Sequence, residues 1–271
     1  MKIAVIGAGN VATHLAMAFL GQAEIVQVLA RTPQSAASLA SRINNHIAEW
    51  GAMRSQTTPC ESACDLSKLR RDCDMYLIAV NDDAVAEVVK LTPDCKGIWA
   101  HTSGSVGLDV FEGRKTDYGV FYPLQTFSKE VAVDLCEVPV LVEGCNEEVT
   151  CRLTEMAGRI SGTVRYADSS TREAIHEAAV FACNFANLMW CEADRLLRHD
   201  TGLDISFLMP LLRATLAKLS VKSPHYAMTG PARRGDIAVI NKHLVALPAD
   251  LKPVYSLLSE RILEMYHPRQ S

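Results

Sequence analysis

The chain is 271 residues long, 49% hydrophobic and 21% charged, enough apolar content for one large core or two modest ones and too much for a disordered chain. Its 27 basic residues against 31 acidic ones leave a net charge of −4, which supplies no field for holding a polyanion and excludes nucleic acid as a main partner. Nine cysteines, an odd number without a Cys-x-x-Cys pair, suggest neither a disulfide framework nor a zinc cage, and no metal is expected. The most apolar stretch, 178–191, is shorter than the roughly 20 residues of a spanning helix and is broken by Asn184 and Asn187, so no membrane segment is expected. Glycines arrive too early in Met-Lys-Ile-Ala-Val-Ile-Gly for a secretory signal, which leads to the expectation of a cytoplasmic, reduced protein.

In chain order, β-branched runs at 3–6 and 25–29 alternate with helical patterns at 11–20 and 35–43, the rhythm of a parallel sheet with crossover helices. A short strand is predicted near 52–56 and a helix around 64–69. The rhythm resumes with a strand at 75–80, a helix at 83–91, and strands near 97–101, 118–121 and 138–142. A helix at 147–160 and a strand at 163–166 complete the sheet. Beyond residue 167 the pattern is helical, in segments near 170–199, 204–220, 236–246 and 250–266. The polar cluster Asp168-Ser169-Ser170-Thr171 supplies N-caps at that change of character. Two domains follow: an α/β doubly wound sheet over 1–167 and an all-α domain over 168–271.

Gly7-Ala8-Gly9-Asn10-Val11-Ala12 follows a strand directly and opens a helix, the context in which a Gly-x-Gly-x-x-Ala pattern binds a dinucleotide. Gly7 permits the tight turn, Gly9 admits a pyrophosphate to the backbone, and Ala12 keeps helix and strand close. The anion would rest on amide donors at the helix N-terminus, with Asn10 and Val11 in the contact. After the second strand stands Arg31-Thr32, where an NAD site places a carboxylate. A guanidinium beside a hydroxyl suits a 2′-phosphate, so NADP is favoured over NAD. Val80 and Asn81, ending a central strand, would line the cofactor, while Asp82 and Asp83 are read as helix caps. His101-Thr102-Ser103-Gly104-Ser105 follows the next strand and places Ser103 near the nicotinamide and His101 near the substrate.

The segment 171–199 reads as one helix of about 40 Å at 1.5 Å per residue, and a uniform 100° per residue puts His176, Val180, Cys183 and Asn187 on one stripe with Asn184 beside it. His176 is the candidate general acid or base, because its ordinary pKa suits proton exchange at neutral pH. Asn184 would orient the substrate or the carboxamide. The plainer reading of this group is a core histidine and asparagines bonded to neighbouring helices. Two polar loops complete the candidates. Phe121-Tyr122-Pro123-Leu124-Gln125-Thr126-Phe127 offers Gln125. Thr229-Gly230-Pro231-Ala232-Arg233-Arg234-Gly235-Asp236 offers Arg233 and Arg234 to an anionic substrate or a partner subunit, with Asp236 capping the next helix. Asn187 joins the substrate-binding set. The cysteines are read as apolar packing.

With these segments in hand, the chain resembles a family of Rossmann-like NADP oxidoreductases that carry a helical carboxyl-terminal domain. At greater distance it is similar to pyrroline-5-carboxylate reductases, prephenate dehydrogenases, deazaflavin-dependent NADP reductases and β-hydroxyacid dehydrogenases. The resemblance implies a homodimer built through the helical domains, with the site between domains. It departs from the β-hydroxyacid dehydrogenases at their catalytic lysine, four residues before an asparagine on the first long helix. If Asn184 is that asparagine, Val180 stands in the lysine's place. The expected activity is hydride transfer between NADP and a small polar, anionic keto, hydroxy or imino compound. A sensor or scaffold that binds NADP without redox chemistry is the alternative.

Overall fold

A computed structural model describes residues 1–50 and 58–268. The elements are β1 (Lys2–Ile6), α1 (Asn10–Phe19), β2 (Glu24–Leu29), α2 (Pro33–Trp50), β3 (Glu61–Ala63), β4 (Met75–Ile78), α3 (Asp82–Leu91), β5 (Ile98–His101), β6 (Tyr118–Pro123), β7 (Val140–Gly144), α4 (Glu147–Gly158) and β8 (Val164–Tyr166). They are followed by α5 (Ser169–Ala179), a π-helical segment (Val180–Phe185), α6 (Ala186–Thr201), α7 (Met209–Lys218), α8 (Pro224–Ala227), α9 (Pro231–Arg234), α10 (Ile237–Ala246) and α11 (Lys252–Tyr266). The expected strand at 52–56 lies outside the described residues. Contacts group the chain into two compact units, 1–186 and 187–271.

In the first unit eight strands form one sheet in the order β3-β2-β1-β4-β5-β6-β7-β8. The pairs from β3 through β6 are parallel, so the carboxyl ends of six strands share one edge. Burial on both faces explains why these strands read as nearly continuous apolar runs. Alternation sorts them all the same: Ile3 and Val5 of β1 join a core under α1, α2 and α4, whereas Ala4 and Ile6 join the opposite core under α3 and Phe111.

Three elements differ from the sequence reading. The helix expected at 64–69 is a single 3-10 turn at Leu66–Lys68, because the Asp65 carboxylate accepts from the Ser67 amide and caps a turn in a segment without an apolar stripe. Strand β7 runs antiparallel to β6. Residues 124–139 contain one 3-10 turn and no crossover helix, and a parallel return needs such a crossover. The long helix is interrupted by the π segment at Val180–Phe185. Bonds of the i→i+5 type wind more slowly, so one extra residue sets the phase of everything beyond it back by about 100°. The stripe drawn at uniform pitch through His176 and Asn187 is therefore not a stripe.

Helix α5 is capped by Asp168, whose carboxylate accepts from the Thr171 amide at 2.8 Å. One turn later it sinks Arg172 into the unit, where the guanidinium meets Glu143 of β7 at 2.5 Å. In the second unit the exposed pair Arg195–Asp250 ties α6 to the turn before α11, while Arg198–Asp194 lies within α6, and such pairs add little stability. Among the described residues no helix is long and apolar enough to cross a membrane.

His101 ends β5 fully buried and stacked on Phe111, with ring centres 5.6 Å apart. Its Nδ1 accepts from the Ser103 amide at 3.2 Å, and Nε2 has no well-aligned partner, the Gly107 backbone lending only a weak one. Burial first, and the nearby Arg172 cation second, push its pKa down from 6.5 to about 4. Between those values the unfolded chain takes up a proton that the folded chain refuses. Stability is thus full above pH 6.5 and falls as the pH drops toward 4, by up to about 3 kcal/mol. Urea denaturation across this range should show that slope in the native chain and a flatter one in His101→Phe; equal slopes would contradict the assignment.

Candidate active site

The order of the strands reverses between β1 and β4, and the crevice at the carboxyl ends of such a pair is where ligands bind in open α/β sheets. Gly7 leaves β1 at φ +124, and a Cβ there would lie 2.0 Å from the Ala79 carbonyl oxygen, so this glycine is demanded by the approach of β1 to β4. Gly9 is different. Its φ is −78, which any residue adopts, and a Cβ built on it meets nothing within 4 Å. Among the described residues no neighbour requires glycine at position 9, which leaves open space where a pyrophosphate would come close. Gly9 is also the N-cap of α1 and brings no capping side chain, so the first amides of the helix are presented to that space. The residues present therefore fit a dinucleotide diphosphate.

The other expected nucleotide residues stand on the same edge. Arg31 follows β2, exposed and with no ion pair among the described residues. Thr32 is partly engaged: its hydroxyl donates to Ser35 Oγ at 2.8 Å and accepts from the Ser35 amide, capping α2. Val80 and Asn81 follow β4, and Asn81 is the N-cap of α3 without using its side chain. The Asn10 amide donates to the Phe127 carbonyl at 2.8 Å and the His14 ring packs on Phe127, which ties α1 to the loop after β6. Val11 is half-buried beside them. Ser103 Oγ accepts from the Ser105 and Val106 amides, so its hydroxyl shapes the turn. Asp82 holds the same turn by accepting from Ser105 Oγ at 2.6 Å.

Above this turn lies a pair that the sequence reading half identified. Tyr122 Oη and His176 Nδ1 are 2.9 Å apart, in a half-buried contact between β6 and α5. Gly104 is pressed against both: a Cβ there would sit 2.8 Å from His176 Nδ1 and 2.9 Å from Tyr122 Cζ. Burial pushes the Tyr122 pKa up and the Asp82 charge adds to it, while Arg172 opposes. The phenol thus keeps its proton at neutral pH, and the two groups share a hydrogen bond whose direction follows the tautomer of the His176 ring. Tyr122 was missed as a functional residue, although its segment stood out, because nothing in the spacing of 122 and 176 reveals that they touch.

The remaining candidates have settings of their own. The ring of His101 is buried and offers no side-chain surface. Gln125 Oε1 accepts from the Thr126 amide, a local turn contact. Asn184, in the π segment, is exposed. In the second unit Asn187 is exposed, Arg233 stacks its guanidinium 4.0 Å over the Tyr266 ring, and Arg234 is exposed. Gly235 closes α9 at φ +72 and Asp236 caps α10 by accepting from the Val239 amide, as expected. All nine cysteines are free, and among the described residues no group of His, Cys, Asp or Glu could hold a metal. A groove of about 590 Å³ on the flank of α1, lined by His14, Arg42, Lys129 and Arg159 among others, contains none of the candidate residues.

Comparison with known proteins bears on both parts of the chain. Residues 2–101 match the model described as NADP oxidoreductase coenzyme F420-dependent, and residues 138–262 match the domain of unknown function DUF2520. No curated protein matches. Among solved structures, a Bacteroides fragilis protein provisionally named an NADP oxidoreductase is 37% identical, with 97% of this chain and 98% of that one covered at a TM-score of 0.87. A reductive aminase from Aspergillus terreus, solved with NADPH and ethyl-5-oxohexanoate, is 15% identical at a TM-score of 0.70, covering 97% and 93%. A 1-pyrroline-5-carboxylate reductase from Streptococcus pyogenes is 13% identical at 0.61, covering 97% and 98%. The last two share the fold. With more than a third of its residues identical to the Bacteroides protein over nearly the full length of both, and with the Gly7–Gly9 turn intact, this chain belongs to the family of NADP oxidoreductases in which a Rossmann-type sheet is joined to a DUF2520 helical region.

Proposed function

We propose that the protein reduces, or in reverse oxidises, a small polar carbonyl or imino compound with NADP as the redox partner. The observation that carries this reading is the Tyr122–His176 pair, held against Gly104 on the sheet edge that also bears the Gly7–Gly9 turn. When bound, NADPH supplies the hydride. The chain's residues have other tasks. The α1 amides beside Gly9 hold the diphosphate, and Arg31 meets the 2′-phosphate with planar donors that a carboxylate at this position would repel. The Tyr122 hydroxyl, kept protonated by burial, and His176 share one hydrogen bond, so the pair can give a proton to the substrate's oxygen or nitrogen and refill it across that bond. Asn184 is proposed to orient the carboxamide or the substrate. The reductive aminase solved in complex with NADPH and ethyl-5-oxohexanoate supports this reading.

We also propose a homodimer formed by the helical region. Among the described residues of 187–271 only Ala232, Ile240 and Ser259 are buried, whereas Val221 and Val245 are 79% and 81% exposed and Phe207, Leu211 and Leu257 are exposed as well. Burying each such side chain is worth about 1.5–3 kcal/mol, and a second copy of the same surface is self-complementary in the way a two-fold interface requires.

Arg31→Ala should weaken NADPH binding by about tenfold or more and leave NADH binding unchanged, as read by fluorescence titration; equal losses for both would refute the 2′-phosphate role. Tyr122→Phe and His176→Ala should each lower kcat by about a hundredfold while NADPH affinity holds. Wild-type turnover preserved in both variants would remove the pair from the reaction. Binding of NADPH without turnover of any ketone, keto acid or imine would favour a non-catalytic sensor. Light scattering should give twice the 29.6 kDa chain mass, and Leu257→Glu should return the single chain; a monomeric wild type refutes the dimer.

A further inference from the structure

The buried guanidinium of Arg172 is hydrogen-bonded to neither Tyr122 nor His176, yet it binds the start of the helix that carries His176, the strand next to the one that carries Tyr122, and the turn that holds Gly104. Its Nη1 donates to Glu143 Oε2 at 2.5 Å, and its Nη2 donates to the Val106 carbonyl at 2.6 Å and to Ser169 Oγ at 3.3 Å. Glu143 accepts in turn from the Ser169 amide and hydroxyl, closing the first turn of α5 onto β7.

Each contact leads to one wall of the proton-handling pair. His176 stands four residues after Arg172, one turn along the same face of α5. Glu143 pairs with Val120 in the β6–β7 ladder, two residues from Tyr122. Val106 closes the 103–106 turn, through its amide on Ser103 Oγ, and that turn holds Gly104 against both side chains. One fork of donors therefore ties α5 to β7 and to the Gly104 turn, and the β6–β7 ladder carries that spacing to Tyr122. Stability does not call for an ion pair here, since buried pairs are often no better than apolar residues of equal volume, and Arg172 Nε is left without a partner. What the fork supplies is direction: its donors leave a rigid plane at fixed angles, which a lysine cannot reproduce.

Resting on the reading of Tyr122 and His176 as the proton-handling pair, we infer that Arg172, with Glu143, is the positioning residue that holds His176 in hydrogen-bonding register with Tyr122. Arg172→Lys keeps the charge and the pairing with Glu143 but loses the second arm to Val106. The test compares it with Glu143→Gln and with Leu39→Ala, a core variant in α2 whose stability loss serves as control. The full-length protein is labelled with 15N-histidine, and the His176 Nδ1 resonance, which reports the bond to Tyr122 Oη, is followed without cofactor or substrate. Steady-state kinetics and NADPH titration follow on the same samples.

Arg172→Lys and Glu143→Gln should each move the Nδ1 resonance and lower kcat by about ten- to a hundredfold with KM and NADPH affinity unchanged, the scale expected of a misplaced group. Leu39→Ala should leave the resonance in place. A folded Arg172→Lys with the wild-type resonance overturns the inference, as does a Leu39→Ala that moves it equally. Failure of the wild type to bind NADPH or to turn over would sink the reductase reading alone, because the resonance is read in the free protein.

Discussion

The molecule depends on how closely β1 and β4 can approach at their carboxyl ends. Gly7 donates its amide to the Leu29 carbonyl at 2.7 Å on one side, while the Ala79 amide donates to Ile6 at 2.7 Å on the other. A side chain at position 7 would occupy the place of the Ala79 carbonyl. Because that corner closes, β1, β2 and β4 end on one edge, where α1, α2 and α3 start, and α1 begins there without a capping side chain on its first amides. Gly9 then leaves its own position empty, and an anion is the chemistry that helix starts and an empty cradle accept.

The second organising feature is burial of charge. Arg172 and Glu143 are 1% and 9% exposed, and His101, close enough to feel the guanidinium, stays neutral. Charges taken out of water at such cost hold their partners at narrow angles and distances. In this fold those partners are the start of α5, the end of β7 and the turn after β5, which together frame the Tyr122–His176 contact. The π segment begins four residues after His176 and turns the rest of the long helix away from the phase that α5 sets. Such segments recur at functional sites, and here it carries Asn184.

The helical region obeys a different balance. Its helices are sound individually, with Asp204 and Asp236 accepting from backbone amides at their starts and Pro231 and Pro253 at first-turn positions. Yet it buries few side chains of its own and leaves a broad apolar surface. The second copy proposed above would cover that surface.

Much of this was legible in the residue pattern. Alternating β-branched runs and helical periods announced the sheet, and the Gly7–Ala12 spacing announced the glycine turn that opens α1, because period and glycine placement are local properties of a chain. The change to a helical pattern after residue 167 was equally plain. Tertiary structure alone decided what depends on distant residues meeting: the antiparallel return of β7, the pairing of Tyr122 with His176 across 54 positions, and the burial of Arg172 against Glu143. It also decided the phase of the long helix, since a π turn arises from packing and leaves no mark in a periodicity computed at constant pitch.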